Sequence, residues 1–229
     1  NSSIGLIYAL KKIFMKKKQN EYWNKFYEKF NVKKASNFAK YLYKKNFIFK
    51  KSKILEIGCG NGRDTFFFLK KNIKTIAIDK SYKAIKKNKK KIDSVFYCND
   101  ISKIDLKDIN FYKKYKCNLV YARFFLHSLN FRSEKFFFDF CAKILPQNGK
   151  ILLEFRTIKD PLILKGKKIS PTERITDHYR RFIDPALLLT TIERKFVPIF
   201  MVQRFGLARF KKENPHVCRI ILKKLKNFF

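Results

Sequence analysis

The chain has 229 residues, 46% of them hydrophobic, and a formal net charge of +36. This length and apolar content suit one domain with a sizeable core and exclude a disordered chain. No apolar stretch nears the roughly 20 uncharged residues of a membrane span, and the five cysteines match neither a disulfide framework nor a zinc site, so free thiols and no metal are expected.

The elements follow in chain order. A short apolar run within residues 1–18 precedes Lys16, Lys17 and Lys18. An export signal has its charges first, so a cytoplasmic location is expected. Residues 19–49 read as helical, with Tyr22, Trp23, Phe26, Tyr27 and Phe30 at helical spacings. Lys53 to Ile57 is a buried strand that stops at a glycine cluster, and a helix follows over 63–71. Strands at Lys74–Ile78 and Ser94–Cys98 flank a Lys-rich helix at 81–91. A fourth strand covers Asn118–Tyr121. A Phe-rich helix at 132–145 stops at Pro146, and a fifth strand runs from Lys150 to Phe155. Residues 156–183 are polar and show no period. A helix at 184–195 and strands near 197–204 and 217–224 close the chain.

Strands alternating with helices predict a doubly wound α/β fold. The expected sheet is seven-stranded, mostly parallel and Rossmann-like, with an antiparallel strand at its edge. The whole chain reads as a single domain over 1–229, with an N-terminal helical extension over 1–50. Residues 156–183 are expected to form a lid or acceptor-binding loop, since long loops in compact domains often carry function.

Gly58, Gly60 and Gly62 concentrate three of the chain's seven glycines within five residues. Glycine admits positive φ and lets a ligand approach the backbone. A strand, a glycine turn and a helix start form a nucleotide-type site at the carboxyl edge of a sheet. The spacing is G-x-G-x-G and not the dinucleotide G-x-G-x-x-G, because position 63 is Arg. Glu56 ends the first strand, Asp79 ends the second, and Asp100 follows the third. In this fold all three converge on one crevice. A carboxylate after the second strand suits the two hydroxyls of a ribose, and one after the third suits an adenine amino group.

Glu56-Ile57-Gly58-Cys59-Gly60-Asn61-Gly62, with Asp79 and Asp100 behind it, resembles the first motif and acidic signatures of class I S-adenosylmethionine-dependent methyltransferases. Pro146-Gln147-Asn148-Gly149-Lys150 resembles their turn before the fifth strand, and Gly-Cys-Gly-x-Gly-Arg is similar to the tellurite-resistance-type branch. The resemblance covers about residues 20–155. It implies S-adenosyl-L-methionine as cofactor, bound by Tyr22, Glu56, Gly58, Cys59, Gly60, Gly62, Arg63, Asp79, Lys80, Asp100, Ile101 and Arg123.

The segment after the fourth strand normally faces the transferred methyl. Here it reads Tyr121-Ala122-Arg123-Phe124-Phe125-Leu126-His127-Ser128, without the Asn-Pro-Pro-Tyr-like string of adenine-N6 methylators. His127 is a candidate general base, or else packs the next helix. Arg123 is a candidate catalytic residue facing the cofactor carboxylate or an anionic acceptor, or else a surface arginine. Arg156, His178, Tyr179, Arg180 and Arg181 form a candidate substrate-binding set, since guanidinium forks clamp carboxylate or phosphate. The bland alternative is a solvated loop.

The charge has two readings. Lysine outnumbers arginine 43 to 11, Phe reaches 26, and Gly and Pro are scarce. An A+T-biased genome gives that profile in any protein. A nucleic-acid footprint gives clustered charge, and the basic doublets here are dispersed. The expected function is therefore methyl transfer to a small or glycan-linked, anionic acceptor. An RNA or DNA methyltransferase is the main alternative, and a non-catalytic cofactor-binding partner protein is the other. Oligomeric state is not legible.

Overall fold

The computed structural model describes residues 20–29, 32–101 and 104–226. The apolar run at the start of the chain, and with it much of the expected N-terminal extension, lies outside the described residues. The helix expected over 19–49 is two helices. Residues 20–29 form α1, and Asn37–Lys44 form α2. The break falls at Ser36, whose side chain caps α2 by accepting the Ala39 N–H.

The strands are β1 (Lys53–Ile57), β2 (Lys74–Asp79), β3 (Phe96–Cys98), β4 (Leu119–Arg123) and β5 (Lys150–Arg156). Helices α3 (Arg63–Lys70), α4 (Tyr82–Lys89), α5 (Leu106–Lys114) and α6 (Phe131–Ile144) connect them. The helix α5 has no counterpart in the sequence reading. Its apolar residues Leu106, Ile109, Phe111 and Tyr112 stand among Lys107, Asp108, Asn110, Lys113 and Lys114, and Ile109 and Tyr112 are buried.

After β5 come three short strands, β6 (Lys167–Lys168), β7 (Glu173–Ile175) and β8 (Tyr179–Arg181). Then follow α7 (Pro185–Ile192), β9 (Phe196–Arg204) and β10 (Val217–Lys224). The main sheet has seven strands in the order β3-β2-β1-β4-β5-β10-β9. The pairs among β1 to β5 are parallel, and β10 runs antiparallel to both neighbours. The expected antiparallel closing pair therefore forms one edge, with β9 outermost.

The strand order reverses between β1 and β4, which opens a crevice at their carboxyl ends. Core residues lie on both faces of the sheet. One layer packs α5, α6 and α7 and includes Phe137, Phe140 and Phe155. The other packs α2 and α3 and includes Phe38, Phe68 and Tyr121. Segment 156–183 is not the periodless loop its sequence suggests: β6, β7 and β8 form a separate antiparallel sheet. Arg174 ties it together by donating to the carbonyls of Ile163 at 2.5 Å and Ser170 at 2.6 Å. Phe182 and Ile183 then bury the returning chain.

Candidate active site

The crevice at the switch point is part of a cavity of about 1230 Å³. Most small-molecule pockets hold about 300–1,000 Å³, so this one has room for two ligands. On one side lie Glu56, Gly58, Cys59, Arg63, Asp79, Lys80, Asp100, Ile101 and Arg123, all from the expected cofactor set. On the other lie His127, Arg156, His178, Tyr179 and Arg180. The α1 helix contributes Tyr22, Trp23, Phe26 and Tyr27 to the same wall.

The glycine turn is built from backbone that a side chain would block. Gly60 has φ +52°, and a Cβ there would fall 2.4 Å from the Tyr27 hydroxyl. Gly62 is also left-handed and caps α3 under Phe96. Neither glycine lines the cavity. They shape the turn that presents Gly58, Cys59 and Arg63 to it. The Asp79 carboxylate accepts the Gly60 N–H and the Ser81 N–H, each at 2.8 Å, one on each oxygen. Burial raises its pKa, and those two N–H donors oppose the rise. Each oxygen keeps a further acceptor site for a ligand hydroxyl.

Glu56 is held by the Thr65 hydroxyl at 2.5 Å, and burial, helped by Asp64, pushes its pKa well above the usual carboxylate range. Asp64 also lines the cavity, its carboxylate accepting from Ser36 N and Oγ and from Tyr121 Oη. Arg63 has no hydrogen-bond partner among the described residues. Burial and the neighbouring Arg123 both lower its pKa. Arg123 donates from Nε to Glu154 at 2.7 Å, and Glu154 accepts on its other oxygen from Arg219 at 2.6 Å. Burial disfavours the Arg123 charge, but Glu154 outweighs it and raises the pKa.

His127 is 4% exposed, and its Nδ1 has no hydrogen-bond partner among the described residues. Burial first, then Arg180 and Arg156, hold its pKa well below 6.5, so it is neutral at physiological pH. His178 is also buried, and its pKa is lowered to about 4, by burial and then by Arg180. Its Nδ1 lies 3.0 Å from Asp177 but off line, and neither ring nitrogen makes a hydrogen bond among the described residues. Its ring stacks on Tyr22 at 4.2 Å. Tyr22 donates to Asp177 at 2.6 Å, so α1 is latched onto the small sheet beside the cavity.

The expected arginine clamp assembles only in part. Arg156 donates to Asp160 at 3.0 Å and Glu213 at 2.6 Å. Arg180 donates to Thr176 at 3.1 Å and Asp177 at 3.0 Å, leaving Nη1 without a partner among the described residues. Arg181 is not in the cavity wall. It alternates to the opposite face of β8, where it donates to the Leu129 carbonyl at 3.0 Å and pairs with buried Glu134. Sequence reasoning counted arginines and could not see this alternation in a three-residue strand. It also missed Phe124, which lines the cavity with a left-handed backbone at φ 50°. The aromatic spacing of residues 22–27 signalled a helix, but not that its aromatic face would roof the crevice.

Residues 55–151 match the family model described as a methyltransferase domain. No curated relative matches the chain in sequence. Among solved structures, a SAM-dependent methyltransferase from Anabaena variabilis is similar, with a TM-score of 0.69 at 14% identity over 91% of this chain and 94% of that one. The glycopeptide N-methyltransferase MtfA, complexed with S-adenosyl-L-homocysteine, gives 0.61 at 14% identity over 83% and 90%. The 1,6-didemethyltoxoflavin-N1-methyltransferase of Burkholderia thailandensis gives 0.58 at 14% identity over 82% and 77%. At these identities the structural likeness is one of fold.

Proposed function

We propose that this chain, an S-adenosylmethionine-dependent methyltransferase, methylates a nucleophilic O–H or N–H on a small or glycan-linked acceptor, with His127 as general base. The observation that carries this reading is the buried Nδ1 of His127, without a hydrogen-bond partner among the described residues, on a residue that lines the same cavity as Gly58 and Asp79. The cofactor supplies a methyl group on a sulfonium, with the electrons of the broken S–C bond kept by sulfur. The residues fit such a ligand. Asp79 keeps acceptor sites for the ribose hydroxyls, Asp100 stands beyond β3 for the adenine, and the Arg63–Arg123 pair suits the methionine carboxylate.

Burial holds the His127 pKa well below 6.5, so the ring is neutral and a nitrogen lone pair is available to take the acceptor's proton. Residues of α1 and of the small sheet line the cavity beside His127. Arg180 offers an unfilled Nη1 to an anionic group on the acceptor. The clamp is weaker than arginine counting implies, because Arg156 and Arg180 already carry carboxylate partners. The neighbours that act on a glycopeptide and on 1,6-didemethyltoxoflavin are consistent with a small or glycan-linked acceptor. The tellurite-resistance-type branch is supported only by the Gly-Cys-Gly-Asn-Gly-Arg string. Transfer of labelled methyl into fractionated small-molecule extract tests the reading. We expect a labelled product that His127→Gln loses while its S-adenosyl-L-homocysteine affinity stays intact. Label appearing only in RNA or DNA would overturn it in favour of a nucleic-acid acceptor.

A further inference from the structure

Phe124 takes a left-handed backbone, φ 50°, that a residue with a bulky side chain adopts only at a cost. Its amide donates to the Glu154 carbonyl at 2.7 Å, so the β4–β5 ladder holds the twist in place. Core packing does not repay it. The next residue, Phe125, packs into the main core against Phe137. Phe124 joins none of the hydrophobic clusters and is half-buried. Its ring instead lies 4.4 Å from the Arg123 guanidinium, 5.8 Å from that of Arg156 and 5.6 Å from the His127 ring. All four residues line the cavity. Strain kept outside the core, beside a buried imidazole nitrogen with no partner, marks a working surface.

We propose that Phe124 determines acceptor specificity: with the Arg123 guanidinium over one face of its ring, the other face is the platform on which a planar, π-conjugated acceptor lies, with its O–H or N–H turned to His127. This rests on the methyltransferase reading above. An aromatic face rewards a flat partner in offset or edge contact, and a puckered ring gains less. Trp23 and Phe26 of α1 add aromatic surface to the same cavity, so a flat acceptor meets aromatic walls from two elements. The Arg123 guanidinium over the Phe124 ring at 4.4 Å, with that of Arg156 at 5.8 Å, suits an acceptor that carries a carboxylate or other anionic group.

The test uses a matched pair of probes, 4-hydroxybenzoate and trans-4-hydroxycyclohexanecarboxylate, equal in charge and hydroxyl but flat and puckered. Each is titrated calorimetrically into the protein saturated with S-adenosyl-L-homocysteine. We expect the flat probe to bind about tenfold tighter to wild type, Phe124→Gly to erase the preference, and Phe124→Tyr to keep it. Equal affinity for the two probes, no binding of either, or a preference that survives in Phe124→Gly would overturn the proposal. Thermal unfolding guards against a merely structural role. Glycine relieves the left-handed strain and removes no core contact, so the Tm of Phe124→Gly should stay within roughly 4 °C of wild type. A larger fall makes Phe124 a folding residue and overturns the assignment. Failure of wild type to bind S-adenosyl-L-homocysteine at all would instead sink the methyltransferase reading, so the two failures are distinguishable.

Discussion

Asp79, at the end of β2, accepts the backbone N–H of Gly60 at 2.8 Å, so the carboxylate assigned to the ribose also pins the glycine turn of the neighbouring strand. Above that turn sits the Tyr27 hydroxyl, where a Gly60 Cβ would be. Gly60→Ala should therefore lose stability by about 1–2 kcal/mol from left-handed strain, with a further loss from displacing Tyr27. Gly206→Ala is the control, since Gly206 has φ +84° with nothing within 4 Å of its Cβ. Urea melts of both variants should show the larger loss at Gly60. Equal losses would mean that Tyr27 moves aside freely.

Arg180 and Arg181 are adjacent but serve different faces. Removing Arg181 strands Glu134 in the core without its cation. Breaking such a buried pair costs about 3–5 kcal/mol. Arg181→Ala should thus show a markedly lower Tm with unchanged S-adenosyl-L-homocysteine affinity. Arg180→Ala, whose partner Asp177 is half-exposed, should fall by no more than about 1 kcal/mol. The reverse order in thermal unfolding would place Arg181, not Arg180, in the acceptor site.

The same reasoning applies to Glu154, which carries two guanidiniums on a side chain with no exposure. Glu154→Ala leaves Arg123 and Arg219 facing each other uncompensated. A loss of about 3–5 kcal/mol in denaturant melts is expected. A loss under about 1 kcal/mol would show that water reaches the pair.

The two buried histidines give the stability a pH dependence. Burial, then Arg180, depresses the folded pKa of both, to about 4 for His178 and well below 6.5 for His127. Between those values the unfolded chain binds more protons than the folded one. The contribution is therefore fully present above about pH 6.5 and is lost as pH falls toward 4. For His178 alone this amounts to something on the order of 3 kcal/mol. His178→Gln should flatten the fall in ΔG between pH 6.5 and 4 relative to wild type. Parallel curves for the two proteins would mean that His178 is protonated in the fold.

Much of the frame was legible because β1, β2, β4, β5 and β10 are buried apolar runs with sharp ends, where period and turn residues agree. The convergence of Glu56, Gly58, Asp79 and Asp100 on one cavity was legible for a related reason: a glycine turn and strand-end carboxylates lie at fixed places in this topology. The rest was hidden by length and charge. Strands of two and three residues, such as β6 and β8, carry no period, so Arg181 could not be told from Arg180. The helix α5 mixes its apolar Leu106, Ile109, Phe111 and Tyr112 with lysines, an aspartate and an asparagine. Phe124 and Phe125 look alike in sequence, and only the backbone at Phe124 separates a cavity residue from a core one.

Calorimetric titration of S-adenosyl-L-homocysteine into wild type and Asp79→Ala reads cofactor recognition by this chain without intermediaries. Binding near one per chain is expected, with a loss of about 1.5–3 kcal/mol in the variant, the worth of hydrogen bonds to a charged group, and with the variant still folded by circular dichroism. Equal affinity in the two proteins, or no binding to wild type, would contradict that recognition.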